Sequence, residues 1–546
     1  MSQERILFAV ALVFFAGLTI YQLALPGLHY DEAFEAVPAM QLLLNQPVTT
    51  FRSNGLQLGG RLFPLMTQDY IGAINTYLAI PFFLLLGINP ISLRAMAVAI
   101  GLLTLWLTYR LGKALYGPWV AGLAALLLAV NPTFVFWSRQ GVFVTSVTAA
   151  IGLAAVLMWF YWWRTGAQRY AVAGAFLLGV GLYAKFLFIW LIFALALAAF
   201  LLNLHQWKRF AKRLLQVPAG WSIFAFLLGS VPLILYNLQT RGTLRSVGSN
   251  LTTSYYGTNN LAFILNLLER LRQFAAVIAG SHLWYLGETY ANWLSLVLFP
   301  AALGITLWFM IGPAPEGARR VLFPFLVIGG VILASCATVS ALWVTHFAIL
   351  APWPPLAVAA TVGLLIRHSQ IRLAGGQAKL LLILTTIVIG ASGFVEIITD
   401  IRYHRALAIS GGLGAHSDAV EDLARWLAVN ERHGAPVAAM DWGIAAPVAF
   451  LTLGEVTPVE AFGYEWETGP DFDARLEQFI SDPASLYLWR SPDEIIFDRG
   501  EDFRRLYEPL GLEEDILEAF YERSGRPVLG VTRLLPSGAA TNPLQP

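Results

Sequence analysis

Apolar residues run along this 546-residue chain in long uninterrupted blocks, without the 3.6-residue rhythm of a half-buried soluble helix. Eleven blocks approach or reach the roughly 20 residues that carry a helix across about 30 Å of hydrocarbon. They are 6–26, 92–112, 118–137, 142–163, 169–184, 186–204, 218–238, 291–312, 321–343, 347–366 and 378–396. Block 6–26 is too long for a signal-peptide core and lacks a small-residue cleavage site, so it reads as a retained first span. A twelfth block, 71–88, is apolar enough to cross but carries Asn75 and a central Pro81. Segment 31–45 has helical spacing of apolar residues, and in 260–280 the run is interrupted by Glu269, Arg270 and Arg272, as in a helix lying flat on a membrane surface.

Near Asp400 the pattern changes. Short β-like runs at 437–440, 456–462, 485–489, 494–497 and 528–535 alternate with helical stretches, the first opened by a capping-box pair, Asp418 and Glu421, and running to Glu431. The expected fold class is therefore a polytopic α-helical membrane protein of about eleven spans plus interfacial helices, with a C-terminal soluble α/β domain. The two parts are 1–400 and 401–546. No nucleotide-binding glycine fingerprint or P-loop is present in the second.

Composition agrees: 57% of residues are hydrophobic, 13% are charged, and mean hydropathy is +0.63, outside the range of soluble globular chains. The net charge of +1 hides an asymmetry, because residues 401–546 hold 24 acidic residues against 12 arginines and no lysine. The positive charge of the first part is spread over short loops, which argues against nucleic acid as a partner. Cys336 is the only cysteine, so an intrachain disulfide and a thiolate metal cluster are both excluded.

Lysine and arginine in short loops are retained on the cytoplasmic side. If 71–88 does not cross, Arg110/Lys113, Arg164/Arg169, Lys208/Arg209/Lys212/Arg213, Arg319/Arg320 and Arg367/Arg372 all fall inside; if it crosses, all fall outside. The first arrangement is expected, with a cytoplasmic N-terminus and an extracytoplasmic C-terminal domain. Eight of the ten acidic residues in 1–400 then face outward, so carboxylate chemistry belongs to the outer face. Asp31 and Glu32 follow the first span directly, in His29-Tyr30-Asp31-Glu32-Ala33-Phe34. Carboxylates at a span end are dehydrated and often functional, but the pair is equally well placed to cap the helix that follows.

That hexapeptide, a long outer loop containing Tyr70-Ile71-Gly72-Ala73-Ile74-Asn75-Thr76-Tyr77-Leu78 and Pro81, then Leu86-Gly87 and Leu93-Arg94, resembles the GT-C superfamily of membrane glycosyltransferases. The likeness is greatest to the group of protein O-mannosyltransferases, the lipid A aminoarabinose transferase and the rhizobial galacturonosyl transferases. It covers roughly 5–366, with Ser138-Arg139, the run from Gly179 to Lys185 and Thr345-His346-Phe347 in the family's order. The resemblance implies hexosyl or pentosyl transfer from a polyprenyl-phosphate sugar in the bilayer to an acceptor glycan, lipid or protein at the outer face. It implies Asp31 as general base, with Glu32 orienting it or holding a cation. Lys185, Arg139, Arg94 and His346 are the expected contacts of the donor phosphate. Snorkelling to headgroups is the competing reading for Lys185, interface anchoring for Arg94 and Arg139, and a capped interfacial histidine for His346, which stands with Phe347 where relatives often have Arg-Tyr.

Many relatives carry a second acid shortly after the Ser-Arg pair, and here Gln140-Gly141-Val142-Phe143 follows with none. No metal site is assigned and no cofactor is expected, though a divalent cation stays open. Two other functions compete: a transporter, against which stand the lack of an internal repeat and of matched broken helices, and an inactive glycan-assembly factor of the same fold. Reporter fusions at Pro546 and near Lys208 are expected to give opposite signals, and an outer signal at Arg110 and Arg164 would reverse the whole orientation.

Overall fold

In the computed structural model, described over residues 3–140, 145–254, 256–311, 317–338, 341–372, 375–429, 434–462 and 469–538, every one of the eleven apolar runs carries helix. Seven helices are long and apolar enough to cross a membrane: α1 (Gln3–Ile20), Pro90–Tyr116, Val147–Thr165, Phe186–Leu214, Trp293–Ile311, Ala318–Ser335 and Gly375–Ser410. Three further runs are helix pairs bent at a short break, Pro118–Ala129 with Pro132–Arg139 at 66°, Ala219–Gly229 with Val231–Thr240 at 61°, and Val344–Leu350 with Trp353–Gln370 at 44°. Proline stands at each bend (Pro132, Pro232, Pro352), where its missing N–H and its ring break the hydrogen-bond ladder. Counting each pair as one span gives ten, and the remaining run is the 17-residue helix Gln168–Ala184.

The connection after α1 is built, not loose. It holds α2 (Tyr30–Leu44), the hairpin β1 (Leu56–Leu58) and β2 (Arg61–Phe63), the pair β3 (Met66–Gln68) and β4 (Ile71–Gly72), and α3 (Ile74–Leu86). The ambiguous block 71–88 is thus strand and a helix of 13 residues, about 20 Å long by the 1.5 Å rise and short of a bilayer core. α4 (Pro90–Tyr116) follows, opened by Asn89, whose side chain accepts from the Ser92 amide, and by Pro90 at its first position. The segment 260–280 is the helix Phe263–Ala279.

Beyond residue 400 the last long helix continues to Ser410 before a five-stranded sheet forms in the order β6-β5-β7-β9-β8. β5 (Val437–Ala439) runs parallel to β6 (Val459–Glu460) and β7 (Leu486–Arg490), while β9 (Pro527–Pro536) pairs antiparallel with β7 and with β8 (Leu512–Tyr521). Three sequence expectations fail here. Segment 494–497 is no strand; its amides at Ile496 and Phe497 each donate to the Asp441 carboxylate at 2.9 Å. β8 was missed because its acidic residues suit the exposed edge it occupies. The Asp418–Glu421 capping box does not form, since Arg523 takes the Asp418 carboxylate in an ion pair at 2.7 Å, and the helix is Ala419–Leu427.

The sheet domain is docked on the connection after α1. Helix Ala445–Leu451 packs Ala446 and Phe450 against Tyr30, Ala33, Met40 and Phe83. Gly27 lies so close to the following chain that a Cβ there would sit 2.1 Å from the Ser417 carbonyl oxygen. Its amide donates to the Gly411 carbonyl at 3.3 Å.

Candidate active site

The start of α2 is a capping box in which the capping residue is His29, not Asp31. The His29 Nδ1 accepts from the Asp31 amide at 3.2 Å, and the His29 amide donates to Glu32 Oε1 at 3.4 Å. Glu32 points inward and forms a two-pronged pair with Arg94 from α4: Nε to Oε2 and Nη2 to Oε1, both 2.9 Å, with neither side chain exposed. The rest of the guanidinium is bound by carbonyls after α1, those of Leu23 (3.1 Å), Ala24 (2.7 Å) and Gly27 (3.3 Å). Arg139 lies beside this pair and donates through Nη2 to the carbonyls of Tyr21 and Gln22 at 2.7 and 2.5 Å. Glu32, Arg94 and Arg139 are therefore one group, wrapped around the end of α1.

Asp31 turns the other way. Its side chain is 39% exposed, and its one described side-chain contact is 3.9 Å from His29 Nδ1. Lys185 is near enough to act on its charge. The turn that carries Lys185 is pinned to the connection after α1 by the bridge between Ile71 and Lys185 and by the Phe186 amide, which donates to the Tyr70 carbonyl at 2.9 Å. Gly72 is required there, because a Cβ would lie 2.3 Å from the Tyr183 carbonyl oxygen. His346 is buried within electrostatic reach of Lys185 and of Arg270, with its ring edge-on to Trp190 at 5.9 Å.

Two members of this second group went unremarked as site residues in the sequence. Glu35, one turn on from Asp31, is buried, receives the Asn75 Nδ2 at 2.5 Å, and senses both Asp31 and Lys185. Its signal was the i, i+4 spacing from Asp31. Arg270 is fully buried, stacked over Trp190 and Phe347 at 5.6 and 5.3 Å, and bonded to Gln273 and to the carbonyls of Trp343 and Ala341. It shares the inward stripe of its helix with Asn266, Phe274 and Val277, while Arg272 stays exposed and pairs with Glu269.

Burial raises the Asp31 carboxyl above its ordinary range, against the pull of His29 and Lys185. The Lys185 amine is lowered by burial, against Glu35 and Asp31, and burial likewise brings Arg270 down to about 10. Glu35 is pushed up to about 8, by burial first, with the Asn75 bond and Lys185 opposing and Asp31 assisting. Among the described residues no group of three or more His, Cys, Asp or Glu side chains is placed to hold a metal ion.

An acidic helix start follows α1 directly, the Lys185 turn is paired to the same connection, and the sheet domain packs on that helix. Solved structures share this fold. ArnT of Cupriavidus metallidurans, solved bound to undecaprenyl phosphate, has a TM-score of 0.60 and 12% identity over 98% of this chain and 99% of its own. The apo oligosaccharyltransferase of Archaeoglobus fulgidus gives 0.52 and 12% over 89% of this chain and 69% of that one. The same organism's AglB with an inhibitory peptide and dolichol-phosphate gives 0.51 and 11%, over 83% and 64%. Residues 74–234 match the family described as dolichyl-phosphate-mannose-protein mannosyltransferase. No curated protein matches the sequence significantly. The chain is thus a multi-pass membrane protein with an ArnT-like fold.

Because the folded-state pKa of Glu35 stands above its unfolded value, its protonated form favours the fold, and that contribution is lost as pH rises from about 4.5 to about 8. Melting of the purified protein is expected to weaken across this window, and Glu35→Gln, which retains an acceptor for Asn75, is expected to flatten the profile.

Proposed function

We propose that this protein transfers a hexosyl or pentosyl unit from a polyprenyl-phosphate donor to an acceptor hydroxyl on a glycan, lipid or protein at the outer face of the membrane. The observation that carries the reading is the electrostatic coupling of Asp31 with Lys185, whose turn is bridged by its backbone to Ile71 in the connection after α1. Asp31 accepts the proton of the acceptor hydroxyl as its oxygen bonds to the anomeric carbon. The bond from that carbon to the phosphate oxygen breaks in the same displacement, which inverts the carbon and releases the polyprenyl phosphate. Charge grows on the leaving phosphate, and Lys185 is the cation assigned to it, with His346 and Arg270 close behind.

The geometry divides the remaining residues by task. Glu32 is kept from the reacting atoms by Arg94, and its role in this reading is orientation of the Asp31 turn. Arg94 has its donors committed to Glu32 and three carbonyls, so it and Arg139 are assigned to holding the end of α1. ArnT was solved with undecaprenyl phosphate and AglB with dolichol-phosphate, which supports a polyprenyl-phosphate carrier here. A polyprenyl-phosphate leaving group also places the donor in the bilayer beside the spans, where a transporter would need a path through them.

Asp31→Asn retains shape and first-turn polarity, and His29 supplies the cap, so folding is expected to change by no more than about 1 kcal/mol. Turnover is expected to fall roughly 10²- to 10⁴-fold, the usual range for a lost general base. Labelled-sugar transfer in membranes, read beside detergent melting, tests this; near-normal turnover would leave only the fold. Lys185→Ala is expected to impair donor use more than Lys185→Arg, which keeps the charge. An Ala variant with wild-type donor KM and turnover would return Lys185 to the headgroup-snorkelling reading.

A further inference from the structure

The ring that caps the catalytic turn is held from outside by the sheet domain. His29 stacks face to face on His416, centroids 4.2 Å apart and planes 15° off parallel, and Tyr285 covers the other side of His416 at 4.1 Å and 21°. Trp442 meets the His29 edge at 5.9 Å and 63° and lies 4.6 Å from the Tyr30 ring. Trp442 is fixed in turn, since its carbonyl accepts from Arg490 Nε at 3.0 Å and its amide donates to Asp441 at 2.8 Å. His416 follows Leu413, whose amide donates to the Tyr285 carbonyl at 2.9 Å. Three separated stretches of chain, at 29, 285 and 416, thus form one stack, and a residue of the sheet domain closes its edge.

The stack restricts the imidazole in the one way the cap requires. An N-cap needs an acceptor aimed at the second or third amide of the helix, and a histidine meets that need only with Nδ1 unprotonated and the ring plane fixed. A free imidazole at an exposed turn would rotate about χ1 and χ2; here one face is stacked on His416 and Trp442 stands against the ring at 63°, which restricts that rotation. The bond it accepts comes from the amide of Asp31 itself. Any rotation of the ring therefore moves the carboxylate that the proposed reaction uses.

We propose that His416 and Trp442 are positioning residues for Asp31, acting through the His29 ring, so that the sheet domain is part of the catalytic apparatus. The inference rests on the transferase reading for its kinetic readout, and on geometry for the rest. Its pH behaviour follows from the groups that face His29. Asp31 and Glu32 on α2 favour the imidazolium; burial, Arg490 from β7 and the stacked His416 oppose it. Burial keeps His29 below its ordinary value, so the cap is intact at neutral pH and is released as the ring is protonated in acid.

The test uses the full-length protein in lipid nanodiscs with His416→Ala, His416→Phe and His29→Asn. Two quantities are read: transfer of labelled sugar from the polyprenyl-phosphate fraction of host membranes, and the rate of Asp31 modification by a hydrophobic carbodiimide, followed by peptide mass spectrometry without turnover. Misplacing a catalytic group by a fraction of an ångström costs rate more than binding, so His416→Ala is expected to lower kcat roughly tenfold with donor KM within about twofold. It should also change Asp31 reactivity about threefold or more, and His416→Phe, which keeps a stacking ring, should restore both. His29→Asn, a cap that neither titrates nor stacks, should lose the acid limb of the pH profile and make the rate insensitive to a further His416→Ala. Equal behaviour of His416→Ala and His416→Phe, or wild-type Asp31 reactivity in His416→Ala, overturns the proposal. Where His416→Ala does not fold, Trp442→Leu and Trp442→Phe give the same contrast. If no variant and no wild type transfers sugar while Asp31 reactivity still follows the stacking ring, the transferase reading falls and the positioning role stands.

Discussion

A guanidinium and a carboxylate with no exposed surface must satisfy each other, and the Arg94–Glu32 pair does so at the crossing of α1, α2 and α4. Each ion alone would cost several kcal/mol to bury, and the pair is tolerated because both carboxylate oxygens are engaged and the other guanidinium donors reach three carbonyls. Such a pair adds little net stability, but it is intolerant of displacement. It fixes where the chain leaves α1, where α2 begins and how far α4 stands from both. One residue before Glu32 and about 100° round the helix, Asp31 is thereby turned out of that pair and comes within reach of Lys185. The adjacent acids read as a pair in the sequence have opposite environments because one helix start cannot turn both inward.

The same logic separates the cations. Those near the end of α1 are consumed by carbonyls freed where that helix stops, a common use of arginine at a helix C-terminus. Lys185 belongs to a turn that the loop after α1 grips through backbone pairing, so its position follows from strand geometry at Ile71 and from the close approach that Gly72 permits. The loop itself is tied down by Asp69, which accepts from Arg52 at 2.9 Å and from Tyr236 at 2.5 Å and so joins the loop to the helix Val231–Thr240. Long connections of this kind are stable only when their polar groups are paired, and here they are paired to two different spans.

The spans were legible because a bilayer demands apolar length, and each apolar run is helical. Block 71–88 was set apart from the spans by Asn75, and that residue proves to be a tie from α3 to Glu35. What could not be read was whatever depends on a partner distant in sequence. Asp418 looked like a cap until Arg523, 105 residues away, claimed it. Arg270 looked like one of three surface charges, although its place on the Asn266–Phe274 stripe set it apart. His29, His416 and Trp442 carry no pattern at all, since ring stacking leaves no periodicity in a chain. The sheet's edge strand β8 was hidden by composition, because an edge tolerates the acidic residues that argue against a core strand.

A short helix has a physical weakness that the sheet domain helps to answer. Burial of apolar area drives α2 against its neighbours but does not by itself set its rotation, since apolar contact is non-directional. Specific contacts must do so, and the ion pair supplies one, at the start of the helix. A second comes from α3, whose Asn75 and Thr76 side chains donate to the Glu35 carboxylate and carbonyl at 2.5 and 2.7 Å. A third lies along the length of α2, where Phe450 and Ala446 pack on Tyr30, Ala33 and Met40, and a fourth above its first turn, where His416 and Trp442 meet His29. Two of the four come from residues beyond 410, so the acidic part of the chain is not an appendage of the membrane part: it shares with α3 and α4 the fixing of the turn that carries Asp31.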